Sequence, residues 1–322
     1  MLPYFTMVSF KLGPLTIYIW GLCVAIGFLA GIFTAYFVCK SPSFSPFNKG
    51  GLRGISPFVK GGGKGDFNKI FNLSVLLLIF GMLGARIFWW FEHLGEVKSF
   101  FDFINISNGG LSSLGGFIFA GIVLTLGLRE PSGLPKPIKW KYLDILAISF
   151  IPIWFFSRLG CFLIHDHIGR FSNFFLAVKF PGGARFDSAF LEIILMVLIG
   201  IYFIFKIRKN AQIPLAPQEA GLIPLTAFGG TPPGAVALKK GETERDFENR
   251  DSEPRGGSYA LSLVLIYSFF RFFLDFLRAF DLPFSDPRYF GLTLAQWGMA
   301  ALFILGAILT ILYRRGKIKL AA

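Results

Sequence analysis

Residues 259–277 have the sequence YALSLVLIYSFFRFFLDFL, in which Arg271 and Asp275 are the only charged side chains. As an α-helix this stretch is about 28 Å long at about 1.5 Å rise per residue, which matches the ~30 Å hydrocarbon core of a bilayer. The segment therefore predicts a membrane-spanning helix that carries two charges inside it.

Similar apolar stretches recur along the chain. Hydrophobic residues make up 54% of the 322 positions and 41 are phenylalanine, which is more apolar surface than a soluble domain can bury. We therefore expect an all-α integral membrane protein of one domain, residues 1–322, with seven transmembrane helices. The expected spans are Pro14–Cys39, Ile70–Phe91, Ser112–Leu128, Tyr142–Ile164, Phe186–Phe205, Tyr259–Leu277 and Phe290–Tyr313.

The net charge of +13 raises the question of nucleic-acid binding, but the distribution of the basic residues argues against it. Segments 40–69, 129–141, 206–258 and 314–319 hold 22 of the 32 Lys and Arg, and the alternate loops hold 6. Basic residues accumulate on the cytoplasmic side of membrane proteins. The N-terminus is therefore expected outside and the C-terminus in the cytoplasm.

Two polar segments interrupt the apolar pattern. Residues 41–69 contain a short duplication rich in Gly, Pro and Lys, and residues 210–258 are first rich in Pro, Gly and Ala and then charged. Such compositions bury too little apolar surface to fold. We predict that both are disordered cytoplasmic insertions.

Ionisable side chains within spans are costly, so each is either functional or paired. In the sixth span, Tyr267, Arg271, Asp275 and Arg278 share one narrow helical stripe because they are spaced i, i+4, i+8 and i+11. Mutual neutralisation is one interpretation. However, Asp275 cannot fully satisfy two arginines, so a guanidinium remains for a ligand.

The outer end of the fourth span concentrates polar groups. Arg158, Cys161 and His165 follow i, i+3, i+7 spacing, and Asp166 and His167 come next. One interpretation is side chains that snorkel to an interface. The other is a site in which a cation, two imidazoles and a carboxylate meet.

Buried arginines near the outer leaflet suit a phosphate, because guanidinium groups bind phosphate oxygens bidentately. Arg86, toward the outer end of the second span, is a further candidate, and Glu192 in the fifth span is expected to pair with one of the arginines. Gly115 and Gly116 permit close backbone approach and offer free N–H groups to a lipid headgroup, although paired glycines are also common at helix starts. The three cysteines show no metal-ligand spacing, so no metal site is expected.

Taken in order, several motifs resemble the bacterial prolipoprotein diacylglyceryl transferases. They are Leu12-Gly13-Pro14-Leu15, Gly84-Ala85-Arg86-Ile87-Phe88, the Gly109–Gly116 stretch, the signature-like Arg158–Gly169 segment, Ser188 with Glu192, Tyr267–Arg278, and Gly291-Leu292-Thr293 with Gln296. Together they cover nearly all of the chain outside the two insertions.

The resemblance implies seven helices and transfer of diacylglyceryl from phosphatidylglycerol to the lipobox cysteine of a prolipoprotein signal peptide. It also implies the bacterial inner membrane, contact with membrane lipid, no nucleic acid and no cofactor. By position, it makes Arg158, Gly160 and Gly169 signature residues that contact phospholipid. It makes Arg271 essential, with Tyr267 one turn before it, and it puts Asp166 where the family has a glutamate.

The chain departs from the family at Leu114, where a histidine proposed as the base is expected, and also at Trp20, Cys161 and Ile164. We therefore hypothesise that His165 or His167 removes the thiol proton, oriented by Asp166, while Arg158 and Arg271 hold the phosphate. One alternative is a relative that binds phospholipid or transfers lipid to another acceptor. Another is an anion transporter, although no repeat relates the two halves.

Overall fold

A computed structural model of the chain describes residues 1–40, 64–92, 112–127, 136–211, 257–282 and 288–315. The helices in these ranges are α1 (Ile19–Lys40), α2 (Lys64–Glu92), α3 (Ser113–Gly127), α4 (Lys136–Ile164), α5 (Ser188–Ala211), α6 (Ser258–Leu274) and α7 (Leu294–Arg314). The strands are β1 (Leu2–Pro3), β2 (Ser9–Leu12), β3 (Leu15–Tyr18), β4 (Ile168–Phe171), β5 (Val178–Phe180), β6 (Gly183–Asp187), β7 (Arg288–Tyr289) and β8 (Leu292–Thr293).

Six of these helices are long and apolar enough to cross a membrane, and α3 is a shorter apolar helix. Large apolar side chains remain exposed on their outer faces, such as Phe37, Phe205 and Phe273. Such a surface is suited to contact with lipid. In water it would leave a large apolar area exposed to solvent, which is unfavourable. The structure thus confirms the predicted class, a mainly helical membrane protein.

Three predicted spans begin too early. Residues before Ile19 form the β2–β3 hairpin, whose turn contains Gly13 at a φ of 62°. Phe186 and Asp187 belong to β6, and Phe290 lies in the turn between β7 and β8. Hydropathy measures only how apolar a stretch is, so it includes apolar residues of a preceding strand or turn in the predicted span. The turn or cap that begins the helix has no effect on it.

The predicted insertions fall mostly outside the described residues. Helix α2 begins at Lys64, so the last residues of segment 41–69 are helical rather than disordered. Helix α5 ends at Ala211, which places the first two residues of segment 210–258 in a helix, and α6 begins at Ser258.

Glycines allow close packing between helices of the bundle. A methyl group at Gly31 in α1 would lie 2.5 Å from the Ile153 side chain in α4, and one at Gly160 in α4 would lie 3.1 Å from the Cα of Trp20. Small residues let helix backbones approach closely in a membrane, where packing rather than water drives association.

One end of the bundle carries a small sheet with the order β1-β5-β6-β4, and we call it the sheet end. Strand β1 pairs with β5 in parallel, which ties the N-terminus to the loop after α4. Gly169 in β4 bridges to Arg278 just beyond α6, so the ends of α4 and α6 are held together.

The opposite end contains a buried charge that the sequence analysis overlooked. The carboxylate of Asp144 in α4 accepts N–H groups of Gly257, Tyr259 and Ala260, at 2.6 to 2.8 Å. These donors are at the N-terminus of α6, where N–H groups lack helical partners. Asp144 lies within the predicted span Tyr142–Ile164 and acts there as a cap from a neighbouring helix.

Candidate functional site

The core of the candidate site is Glu192, which lies between two arginines. Its Oε2 is 3.0 Å from Nε of Arg158, and its Oε1 is 3.1 Å from Nε of Arg271. The side chain of Glu192 is only 1% exposed. Helices α4, α5 and α6 each contribute one of the three residues, so the charges meet only once the bundle is assembled.

Two aromatic residues fix the position of the Glu192 carboxylate. The hydroxyl of Tyr267 donates to Oε2 at 3.0 Å, and the indole N–H of Trp154 donates to the same oxygen at 3.3 Å. The Trp154 ring also lies under the Arg158 guanidinium, 4.6 Å from its centre. Cation–π contact of this kind is attractive when water is excluded.

A second carboxylate, that of Asp275, lies on the other side of Arg271. Nη1 of Arg271 donates to Asp275 at 2.9 Å, and Nη1 of Arg278 is 3.6 Å from the same oxygen. The hydroxyl of Thr293 donates to the other oxygen of Asp275, and Thr293 also forms a capping box with Gln296 at the start of α7. The first turn of α7 therefore supports the cluster.

At the sheet end, His167 and Asp166 lie beside Cys161. Their ligand atoms are all within 4.8 Å of one another, and Nε2 of His167 is 3.7 Å from Oδ1 of Asp166. Both N–H and hydroxyl of Ser188 donate to the His167 carbonyl at 3.1 Å, which fixes its backbone. The three side chains form a geometry that could hold a metal ion, although sequence spacing gave no indication of one.

Burial and charge keep His167 neutral. Burial lowers the pKa of its imidazole to about 3, and the nearby Arg158 and Arg278 lower it in the same direction. Burial raises the pKa of the Asp166 carboxyl to about 6, against the opposing effect of Arg158. At neutral pH the site thus offers an unprotonated imidazole next to an ionised carboxylate.

His165 occupies different surroundings from His167. Its Nδ1 is 2.7 Å from Oδ2 of Asp187, and its ring stacks on Tyr4 inside a group of aromatic side chains. Asp187 also accepts the N–H of Ala189 at 2.9 Å and so caps α5. The carboxylate partner of His165 is therefore Asp187, and the expected orientation by Asp166 is wrong for this residue.

A family model described as prolipoprotein diacylglyceryl transferase matches residues 7–223, more than half of the chain. The chain belongs to this family. A phosphatidylglycerol--prolipoprotein diacylglyceryl transferase of Burkholderia ambifaria is 26% identical over 329 residues, with 99% of each chain covered. The protein of the same name from Rhizobium meliloti is 26% identical over 226 residues, covering 66% of this chain and 72% of its own length.

In this family member, the structure brings together most of the predicted site residues. Arg158, Tyr267, Arg271 and Arg278 converge on the two carboxylates that were expected to pair with them. Arg86 is buried on α2, with its guanidinium 4.7 Å from the centre of the Trp89 ring.

The predicted phospholipid-contacting glycines all pack against protein. A methyl group at Gly115 would lie 2.3 Å from the Gly84 carbonyl oxygen, and one at Gly116 would lie 3.4 Å from that of Gly81. Gly160 faces α1, and a methyl at Gly169 would lie 2.5 Å from the Leu277 carbonyl oxygen. Close packing accounts for these glycines without a lipid contact.

Several residues that build the site were missed by the sequence reasoning. Trp154 gives no signal that separates it from other apolar span residues, and Asp187 is a single carboxylate beside a polar loop, where such residues are common. Thr293 and Gln296 were noted only as part of a family motif, although Thr293-x-x-Gln296 is also a capping-box signature that marks the start of a helix.

Proposed function

We propose that this chain transfers the diacylglyceryl group of phosphatidylglycerol to the lipobox cysteine of a prolipoprotein signal peptide, the first step of bacterial lipoprotein maturation. The thiol sulfur attacks the diacylglyceryl carbon and forms a thioether, while the carbon–oxygen bond breaks and glycerol phosphate leaves. Family membership and the names of the relatives support this reaction.

The observation that carries the proposal is the convergence of buried arginines around Glu192. Three guanidinium groups, of Arg158, Arg271 and Arg278, meet the two carboxylates of Glu192 and Asp275. Arg158 and Arg271 are thus two buried guanidinium groups that share the Glu192 carboxylate in a water-poor region, and the oxygens of a phosphodiester match the bidentate geometry of such groups.

The same arginines suit the chemical step. As the carbon–oxygen bond breaks, negative charge grows on the departing phosphate, and preorganised donors stabilise such charge most where water is excluded. We assign this role to Arg158 and Arg271. Tyr267 and Trp154 hold Glu192, and Glu192 in turn holds the two arginines apart at fixed distances.

The proposed base is His167 rather than His165. His167 lies beside Arg158 and Arg278, where the phosphate is expected to bind, and is neutral at pH 7. A phosphate anion bound on these arginines offsets their charge and raises the low pKa of His167, which strengthens it as a base for the thiol proton. His165 is enclosed by Tyr4 and Phe162 and is engaged with Asp187. It suits a positioning role for the sheet end.

We further propose that α3 completes a seven-helix span of the bacterial inner membrane, with the sheet end outside and the end of α7 in the cytoplasm. The basic loops between helices support this orientation. Secreted prolipoproteins would then meet the site at the outer surface.

Complementation of a strain depleted of its own transferase tests the function. We expect the wild type to rescue lipidation of a reporter prolipoprotein, Arg158→Ala to abolish it and His167→Ala to reduce it by about 10²-fold or more. Lys179→Ala, on the exposed surface of β5, is the matched control and should rescue fully. No rescue by wild-type protein that is present in the membrane would refute the proposal.

A further inference from the structure

A groove of about 490 Å³ runs along the bundle between α3 and α6. On α4 it extends from Leu143 to Ile153, which is about 15 Å at the rise of an α-helix. This is half of the ~30 Å hydrocarbon core of a bilayer. Apart from the hydroxyls of Ser74 and Ser149, its lining side chains are apolar. The length and lining suit one hydrocarbon chain.

The upper end of the groove is next to the charged site. Ile153 immediately precedes Trp154, and the lining ring of Phe117 is 6.0 Å from the Trp154 ring. Trp154 in turn contacts both Glu192 and Arg158. A lipid whose phosphate lies on the arginines would therefore have the groove directly below its headgroup.

The lower end of the groove has a rigid floor. Leu143 and Ala260 line it there, and the carboxylate of the adjacent Asp144 accepts the N–H of Ala260 at 2.8 Å. The hydroxyl of Ser149, higher in the groove, donates to the Ile145 carbonyl at 2.8 Å, so it does not need a hydrogen-bond partner from a bound ligand. The floor is thus fixed by hydrogen bonds and not by flexible side chains alone.

The width of the groove depends on a glycine. No heavy atom lies within 4 Å of the position that a Cβ would take at Gly121 in α3, and Gly121 lines the groove. A larger side chain at this position would extend into free space without meeting the backbone of another helix. The groove can therefore be blocked without disturbing the fold.

We infer that the groove holds one acyl chain of the phospholipid donor, and that the floor at Leu143 and Ala260 sets the longest chain accepted. The inference rests on the proposed transferase function, since that function supplies the donor. A chain longer than the groove leaves methylene groups outside it, and each unburied methylene weakens binding by about fourfold.

Two substitutions test the assignment by transfer rate. Ala260→Leu raises the floor, so we expect the rate with 14-carbon donors, which reach the floor, to fall about tenfold relative to 10-carbon donors, which do not. This is the equivalent of roughly two displaced methylenes. Gly121→Leu blocks the groove and should slow transfer from donors of both lengths. The matched controls are Ala301→Leu and Gly298→Leu, on the exposed face of α7, and both should keep the wild-type preference.

A photolabel provides a readout that needs no turnover. Phosphatidylglycerol with a diazirine at the end of one acyl chain should label peptides near Leu143 or Ala260 in the wild type. In Gly121→Leu, the yield of this labelling should fall at least fivefold. In the wild type, a diazirine placed near the ester should label peptides near Phe117 instead.

The outcomes separate the two proposals. Labelling at the floor without any transfer by the wild type would overturn the transferase function and leave the groove assignment standing. Transfer with chain preference and labelling unchanged in both groove variants would overturn the groove assignment and leave the function standing. Labels spread evenly over the lipid-facing surfaces would also overturn it, since another lipid tail or none would then fill the groove.

Discussion

Replacing Glu192 by Gln should destabilise the bundle strongly while leaving its shape intact. In the wild type, Oε2 accepts hydrogen bonds from Tyr267 and Trp154, which the Gln carbonyl oxygen can still accept. The amide nitrogen then faces Nε of Arg271, where Oε1 was 3.1 Å away, so two donors oppose each other.

The magnitude follows from burial. The side chains of Arg158 and Arg271 are 14% and 10% exposed, and the variant leaves both without the Glu192 charge. Removing one partner of a buried ion pair typically costs about 3–5 kcal/mol. We expect a loss of that size in the free energy of unfolding in zwitterionic micelles.

The assay compares lipids. Because Glu192→Gln removes the negative charge that Arg158 and Arg271 share, phosphatidylglycerol added to the micelles should restore part of the lost stability, and a zwitterionic phospholipid should not. The control is Asp281→Asn, which removes an exposed partner of Arg185 and should change stability little. A loss below about 1 kcal/mol for Glu192→Gln, or equal rescue by both lipids, would refute the account of the cluster given above.

Two further predictions concern packing and pH. Gly115→Ala should lower the free energy of unfolding by about 1–3 kcal/mol, because the new methyl lies 2.3 Å from the Gly84 carbonyl oxygen. Gly121→Ala is the control and should be tolerated, since no heavy atom lies within 4 Å of its new methyl. Equal thermal stability of the two variants would contradict the packing role of Gly115. The transfer rate should fall below about pH 6, where the Asp166 carboxylate gains a proton, while His167, with its pKa of about 3, stays neutral. This inflection should be absent from the pH profile of Asp166→Asn, and its persistence would assign it to another group.

The sequence by itself determined the membrane class and the helical stripe of Tyr267, Arg271 and Asp275, and it marked Arg158 as a candidate for the site. These features depend on composition and on spacing within one helix, since 3.6 residues per turn fix which side chains share a face. The family resemblance was equally visible, because its motifs are short local stretches. Hydropathy failed at the start of the first span, where strand β3 before Ile19 is as apolar as a helix.

Only the tertiary structure decided how the buried charges are balanced. Glu192 contacts Arg158 and Arg271 from a third helix, and Asp187 rather than Asp166 contacts His165 across 22 residues of chain. Asp144 reaches the start of α6 across more than a hundred residues. The packing of the helices decides which arginine pairs with which carboxylate. Periodicity within a single helix does not predict this pairing, because the partners lie on different helices.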